Sequence, residues 1–152
     1  MAFKQLKDLI EWITEYHEAL ENQYGQLANS QEDERIRMAL QFLASREHRM
    51  AEGMEDFLQD AEDDLMDGWL VDSQEFDPRR ITDSLPPCNG CRNIHDVLRN
   101  ILQSHENLTD TYRLRARLAQ NQREAELFEE LADNQQAEAR LQSRDIGRLE
   151  MY

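Results

Sequence analysis

Two stretches of this 152-residue chain carry the same chemically capable residues at the same spacing. His17-Glu18-Ala19-Leu20 is followed by Tyr24, and His105-Glu106-Asn107-Leu108 by Tyr112, an offset of 88 throughout. Histidine, glutamate and tyrosine are side chains that ligate metals or hydrogen-bond to one another. A further candidate is Cys88-Asn89-Gly90-Cys91. A CxxC pair ahead of a helix can form a redox-active disulfide, because a helix N-terminus lowers a thiol pKa. With His95 four residues on, it can also supply three zinc ligands, or share a metal between two subunits. The plainer reading is two free thiols in a tight turn at Asn89-Gly90, since thioredoxin-like use belongs to a βαβ setting that this chain lacks.

The elements that must position these residues read as helices. Only five Gly and three Pro occur, which leaves little material for turns. At the offset of 88, residues 6–62 match 94–150 at 12 of 57 positions, including Ile13 with Ile101, Leu43-Ala44 with Leu131-Ala132, and Ala51 with Ala139. The chain therefore reads as a duplicated helical hairpin. Helix one is expected over about 4–28, with Leu6, Ile10, Ile13, His17, Leu20, Tyr24 and Leu27 as its seam. Helix two, over about 31–65 and capped by Ser30, carries Ile36, Leu40, Leu43, Glu47, Met50, Met54, Phe57 and Ala61. Helix three (about 92–120) carries Ile94, Leu98, Ile101, His105, Leu108 and Tyr112. Helix four (about 122–149) is polar where its twin is apolar: Gln135, Glu138 and Gln142 stand at the places of Glu47, Met50 and Met54. Residues 67–91 break the pattern. A segment that long can travel the length of a bundle as a crossover, with Trp69, Leu70, Val71 and Phe76 docked on its outside.

A formal charge of −15 argues against nucleic acid and anionic membranes as partners. No apolar run approaches the roughly 20 residues of a membrane span, and two cysteines are too few for a secreted disulfide framework. The expectation is one domain over 1–152, cytoplasmic, and a homodimer through one helical face. There is no Gly-rich phosphate loop, and His48, between Arg46 and Arg49, is expected at the surface.

An all-α chain of two repeated hairpins joined by a long crossover resembles the ferritin-like superfamily, in its rubrerythrin-type branch. Tyr24 and Tyr112, the two Leu-Ala pairs and the run Glu126-Leu127-Phe128-Glu129-Glu130-Leu131-Ala132 carry the resemblance. It implies a four-helix bundle in which each hairpin gives one Glu, seven residues before the Tyr, and one Glu-x-x-His pair, together holding two iron or manganese ions. Here the first-helix positions are His17 and His105, and the pairs read Glu47…Met50 and Gln135…Glu138, so only Glu47 keeps its identity. The di-iron centre is therefore expected to be absent, and the family's oxidase or peroxidase chemistry is not carried over. The leading expectation is a non-catalytic bundle, without cofactor, that works by binding or assembly. The alternative is an altered oxidoreductase or metal site, with one iron, manganese or zinc ion at His17, Glu47, His105 and Glu138 and with Tyr24, Tyr112 and Gln135 around it. A helical phase shifted by one residue would instead turn Glu18 and Glu106 inward. Thiol redox at Cys88 and Cys91 is the third reading.

Overall fold

The structure, a computed structural model, describes residues 5–61, 63–70 and 94–149. Val71, Phe76, Cys88 and Cys91 lie outside the described residues, as do the side chains of Ile94 and Ile101. The described residues are all-helical: α1 (Leu6–Ser30), α2 (Glu34–Asp60), a short α3 (Asp63–Met66), α4 (Ile94–Leu118) and α5 (Gln122–Arg148). Among the described residues the sole β-type pairing is an isolated bridge between Gln5 and Trp69, and no helix is long and apolar enough to cross a membrane.

Local chemistry sets the ends. Gln5 and Asp8 form a reciprocal capping box at the start of α1. Asp33, not Ser30, caps α2: its carboxylate accepts from the amides of Arg35 and Ile36 at 2.9 and 3.4 Å. Ser30 belongs to the last turn of α1, where its hydroxyl donates to the Leu27 carbonyl. The acidic side chain wins because it meets the positive end of the helix dipole. Asn121 caps α5 in the same way, accepting from the Glu124 amide at 2.9 Å. The first and second hairpins are equal in length, with helices of 25 and 27 residues in each. Moving α1 and α2 by 88 residues lays their limits on those of α4 and α5.

α2 stops at Asp60, earlier than the expected 65, and α3 carries the chain back to the start of α1. There the Leu6 amide donates to the Gly68 carbonyl at 2.9 Å, and Lys7 pairs with Asp67 at 3.2 Å. Leu70 is buried in the core, contrary to the expected position outside the bundle, whereas Trp69 is 62% exposed. A small cavity of about 50 Å³ at this end is lined by Leu6 and Trp69 together with Gln120 and Asn121 of the α4–α5 turn. α4 therefore finishes where α2 finishes. A helix of 25 residues is about 37 Å long, so Leu70 and Ile94 stand at opposite ends of the molecule and α2 and α4 run in the same direction.

The hairpins pack α1 on α2 and α4 on α5, and α2 touches α4. Leu9, Ile13, Leu40, Leu43, Leu108, Tyr112, Phe128 and Ala132 are among the fully or nearly fully buried residues of the shared core. On α2 the buried line leaves the expected seam after Glu47. It continues through Ala51, while Met50, Met54 and Phe57 are only half-buried. A straight helix turns at 3.6 residues, so a strict alternation of three and four drifts off the core by ~20° per heptad.

Candidate functional site

Halfway along the bundle the apolar core is interrupted by a layer of polar side chains. His17 of α1, Glu47 of α2, His105 of α4 and Gln135 and Gln142 of α5 are all at most 3% exposed. Of the residues singled out from the sequence, His17, Glu47, His105 and Gln135 stand in this layer, Gln142 joins them, and Glu138 lies at its outer edge, reached through Gln142. Glu18 and Glu106 are exposed, so the shifted helical phase is wrong. The reason is burial: His17 lies on the same stripe as Ile13, Leu20 and Tyr24, all at most 2% exposed.

Buried polar groups must find partners, and these find one another. His17 Nδ1 meets Glu47 Oε2 at 2.6 Å. At the positions 88 residues on, Gln135 Nε2 donates to His105 Nδ1. His105 Nε2 then contacts Gln142 Oε1 at 2.8 Å and lies 3.5 Å from Glu47 Oε1. Gln142 Nε2 in turn donates to Glu138 Oε1 at 3.1 Å. The donor sequence assigns a neutral His105 with its proton on Nε2, because Nδ1 is accepting. Burial pushes the His105 pKa below its ordinary value, against the pull of Glu47 and Gln142 toward the charged form.

Glu138 closes the layer toward the surface. Both its oxygens accept from one guanidinium, Arg46 Nε and Nη2, each at 2.6 Å. Burial alone would raise the Glu138 pKa. Hydrogen bonds from Arg46 and Gln142 outweigh it and hold the carboxylate below its ordinary range. Arg46 is correspondingly raised, chiefly by its bond to Glu138. Such a forked pair is the strong form of a charge-assisted bond, and it ties α2 to α5.

Three tyrosines lie close to the layer. Tyr16 Oη donates to the Ser104 carbonyl at 3.4 Å. Tyr24 and Tyr112 are at most 2% exposed, and burial first, with the charge of Glu47 adding to it, lifts the pKa of all three well above the usual phenol value. The Tyr112 hydroxyl, His17 Nε2 and Glu47 Oε1 are buried atoms without a hydrogen-bond partner among the described residues.

No protein-family model, no curated protein and no solved structure matches the chain.

The geometry of the layer bears on a metal. Glu138 is engaged by Arg46 and Gln142, and both ring nitrogens of His105 are engaged by amides. As arranged, His17, Glu47, His105 and Glu138 leave two uncommitted donors, His17 Nε2 and Glu47 Oε1. A stable site needs at least three. Among the described residues no group of three or more His, Cys, Asp and Glu side chains is placed to hold a metal ion. His48 is at the surface, between Glu21 at 3.0 Å and Glu52 at 2.8 Å, and His95 is exposed.

Two residues of consequence escaped the sequence reading. Arg46 was assigned no role from the sequence, and its partner lies 92 residues away, beyond any local pattern. Arg115 is fully buried. It could have been found: the three-and-four stepping through His105, Leu108 and Tyr112 continues to 115, where the first hairpin has Leu27.

Proposed function

We propose that the chain is a ferritin-like four-helix bundle, built from a duplicated hairpin, in which the metal-binding layer has become a hydrogen-bonded structural layer, and that it acts through binding or assembly without catalysis. The coincidence of helix limits at an offset of 88 supports the duplication. So do the paired caps Asp33 and Asn121 and the paired contacts His17–Glu47 and His105–Gln135. The parallel course of α2 and α4 supports the ferritin-like arrangement, since two hairpins joined by one long crossover are that superfamily's connection. The observation that carries the loss of metal function is the forked Arg46–Glu138 pair. It occupies the one carboxylate that the altered site would need beside Glu47.

The test is metal content by mass spectrometry on tag-free protein, before and after loading with Fe(II), Mn(II) and Zn(II). The expected result is no retained metal. Near-stoichiometric metal that disappears in His17→Ala and His105→Ala would overturn the reading.

A second reading, a single metal ion at an altered site, is favoured by the two buried uncommitted atoms, His17 Nε2 and Glu47 Oε1. It requires His105 to release Gln142 and turn its Nε2 to the same centre. Retained metal in the loading experiment, together with a stability that falls on adding chelator, would select it.

A further inference from the structure

On one side of the polar layer α2 and α5 are bridged by Arg46 and Glu138. One turn further along α2 no such bridge joins the two helices among the described residues. Met50, Met54 and Phe57 of α2 and Leu131 of α5 instead wall an open groove of about 290 Å³ that reaches down to Gln135. We propose that this groove docks one helix of a partner protein, with aliphatic and small residues along its face and lysine or arginine at its margins. The inference rests on the binding role proposed above and supplies its surface.

Three features point to that occupant. The α2 wall is half-buried methionine and phenylalanine over the buried Leu131, and flexible thioethers repack around an inserted side chain. Gly53 lies among them, exposed, in the interior of α2. Glycine weakens a helix interior, and nothing in the chain demands it here: its backbone needs no left-handed conformation, and an added Cβ would meet nothing within 4 Å. A missing side chain at an exposed groove lets another backbone come close. The third feature is charge. Glu138, paired with Arg46, lines the groove beside Asn134, and Asp56 and Asp60 of α2 and Glu130 of α5 are exposed on the two helices that wall it. The whole chain carries −15. A cationic margin on the partner complements this rim, whereas a second copy of the chain would bring like charge against it.

The probe is a fluorescein-labelled Leu/Lys peptide of about five turns, patterned as an amphipathic helix. It is titrated into the full chain and followed by anisotropy, beside a scrambled peptide of the same composition. The expected result is saturable binding of the patterned peptide, weakened at least about tenfold by Gly53→Trp and unchanged by Asn29→Trp, a bulky change on exposed α1. Gly53→Ala should raise the thermal midpoint by a few degrees while weakening the peptide. Equal binding of the scrambled peptide would mean bulk charge attraction and would overturn the proposal. So would indifference to Gly53→Trp, or a Gly53→Ala variant that gains stability with no loss of affinity. A dimer in sedimentation that Gly53→Trp abolishes would assign the groove to a second copy, also against the proposal. The metal measurement tests the loss of the metal site and the titration tests the groove, so the two fail separately.

Discussion

Replacing Glu47 by methionine isolates the energetics of the polar layer. Methionine fills nearly the same volume, so the change opens little cavity and the cost is that of the lost partner. Glu47 is fully buried, meets His17 Nδ1 at 2.6 Å, and lies 3.5 Å from His105 Nε2. Breaking a buried pair by removing one partner costs roughly 3–5 kcal/mol, because the other stays buried and unsatisfied. Against a total stability of about 5–15 kcal/mol this is a large fraction. With an m-value near 2 kcal/mol/M, the urea midpoint followed by far-ultraviolet circular dichroism should fall by roughly 2 M. The double variant His17→Leu/Glu47→Met removes both partners and should recover to within about 2 kcal/mol of the parent, since apolar replacement of a buried pair is often neutral. The cycle should thus show coupling of about 2 kcal/mol or more. An unchanged midpoint in Glu47→Met, or a double variant as unstable as the sum of the two singles, would refute the claim that these side chains hold each other.

Two predictions concern pH. Glu138 has a folded pKa below its unfolded value, so its contribution is present above about pH 4.3 and is lost as pH falls through the lower folded value. Glu138→Gln should therefore cost about 1–3 kcal/mol near neutrality, and the gap to the parent should close in acid-titrated urea melts. His105 is a base whose folded pKa is depressed by burial beside His17, Glu47 and Glu138. The unfolded chain takes up that proton first, so stability should decline as pH drops below about 6.5, and His105→Gln should flatten the slope. Exposed His48, raised by its hydrogen bond to Glu21, slopes the other way, so the comparison belongs in a His48→Gln background.

The sequence was most legible where one helix face decides the outcome. The stripe Ile10, Ile13, His17, Leu20 and Tyr24 is buried as read, and repetition at 88 located the second hairpin to within two or three residues. The polar layer was legible in part: His17, Glu47, His105 and Gln135 come together, whereas Glu138 reaches them only through Gln142. Their pairing was not legible. It depends on side-chain rotamers and on Arg46, whose partner is set by how the two hairpins dock. The lower half of α2 was misread because a strict seam does not follow a helix with 3.6 residues per turn. The end of α2 moved from 65 to Asp60 because the turn through Ala61 lets α3 reach the start of α1.

The uneven reach of the contacts has a kinetic consequence. His17 and Glu47 are 30 residues apart, as are His105 and Gln135, whereas Arg46 and Glu138 are separated by 92. Closing the longer loop adds only about 1 kcal/mol of chain entropy, but it also requires both hairpins to exist and the polar layer to shed its water together. Each hairpin can therefore assemble on its own local contacts, and docking follows. Side chains that meet only in that last event should govern how fast the bundle comes apart more than how fast it forms, so Arg46 and Glu138 are expected to act as latches on the unfolding rate. Because a sliding apolar seam would accept several registers and a forked ion pair accepts one, the same latch decides which docked arrangement persists.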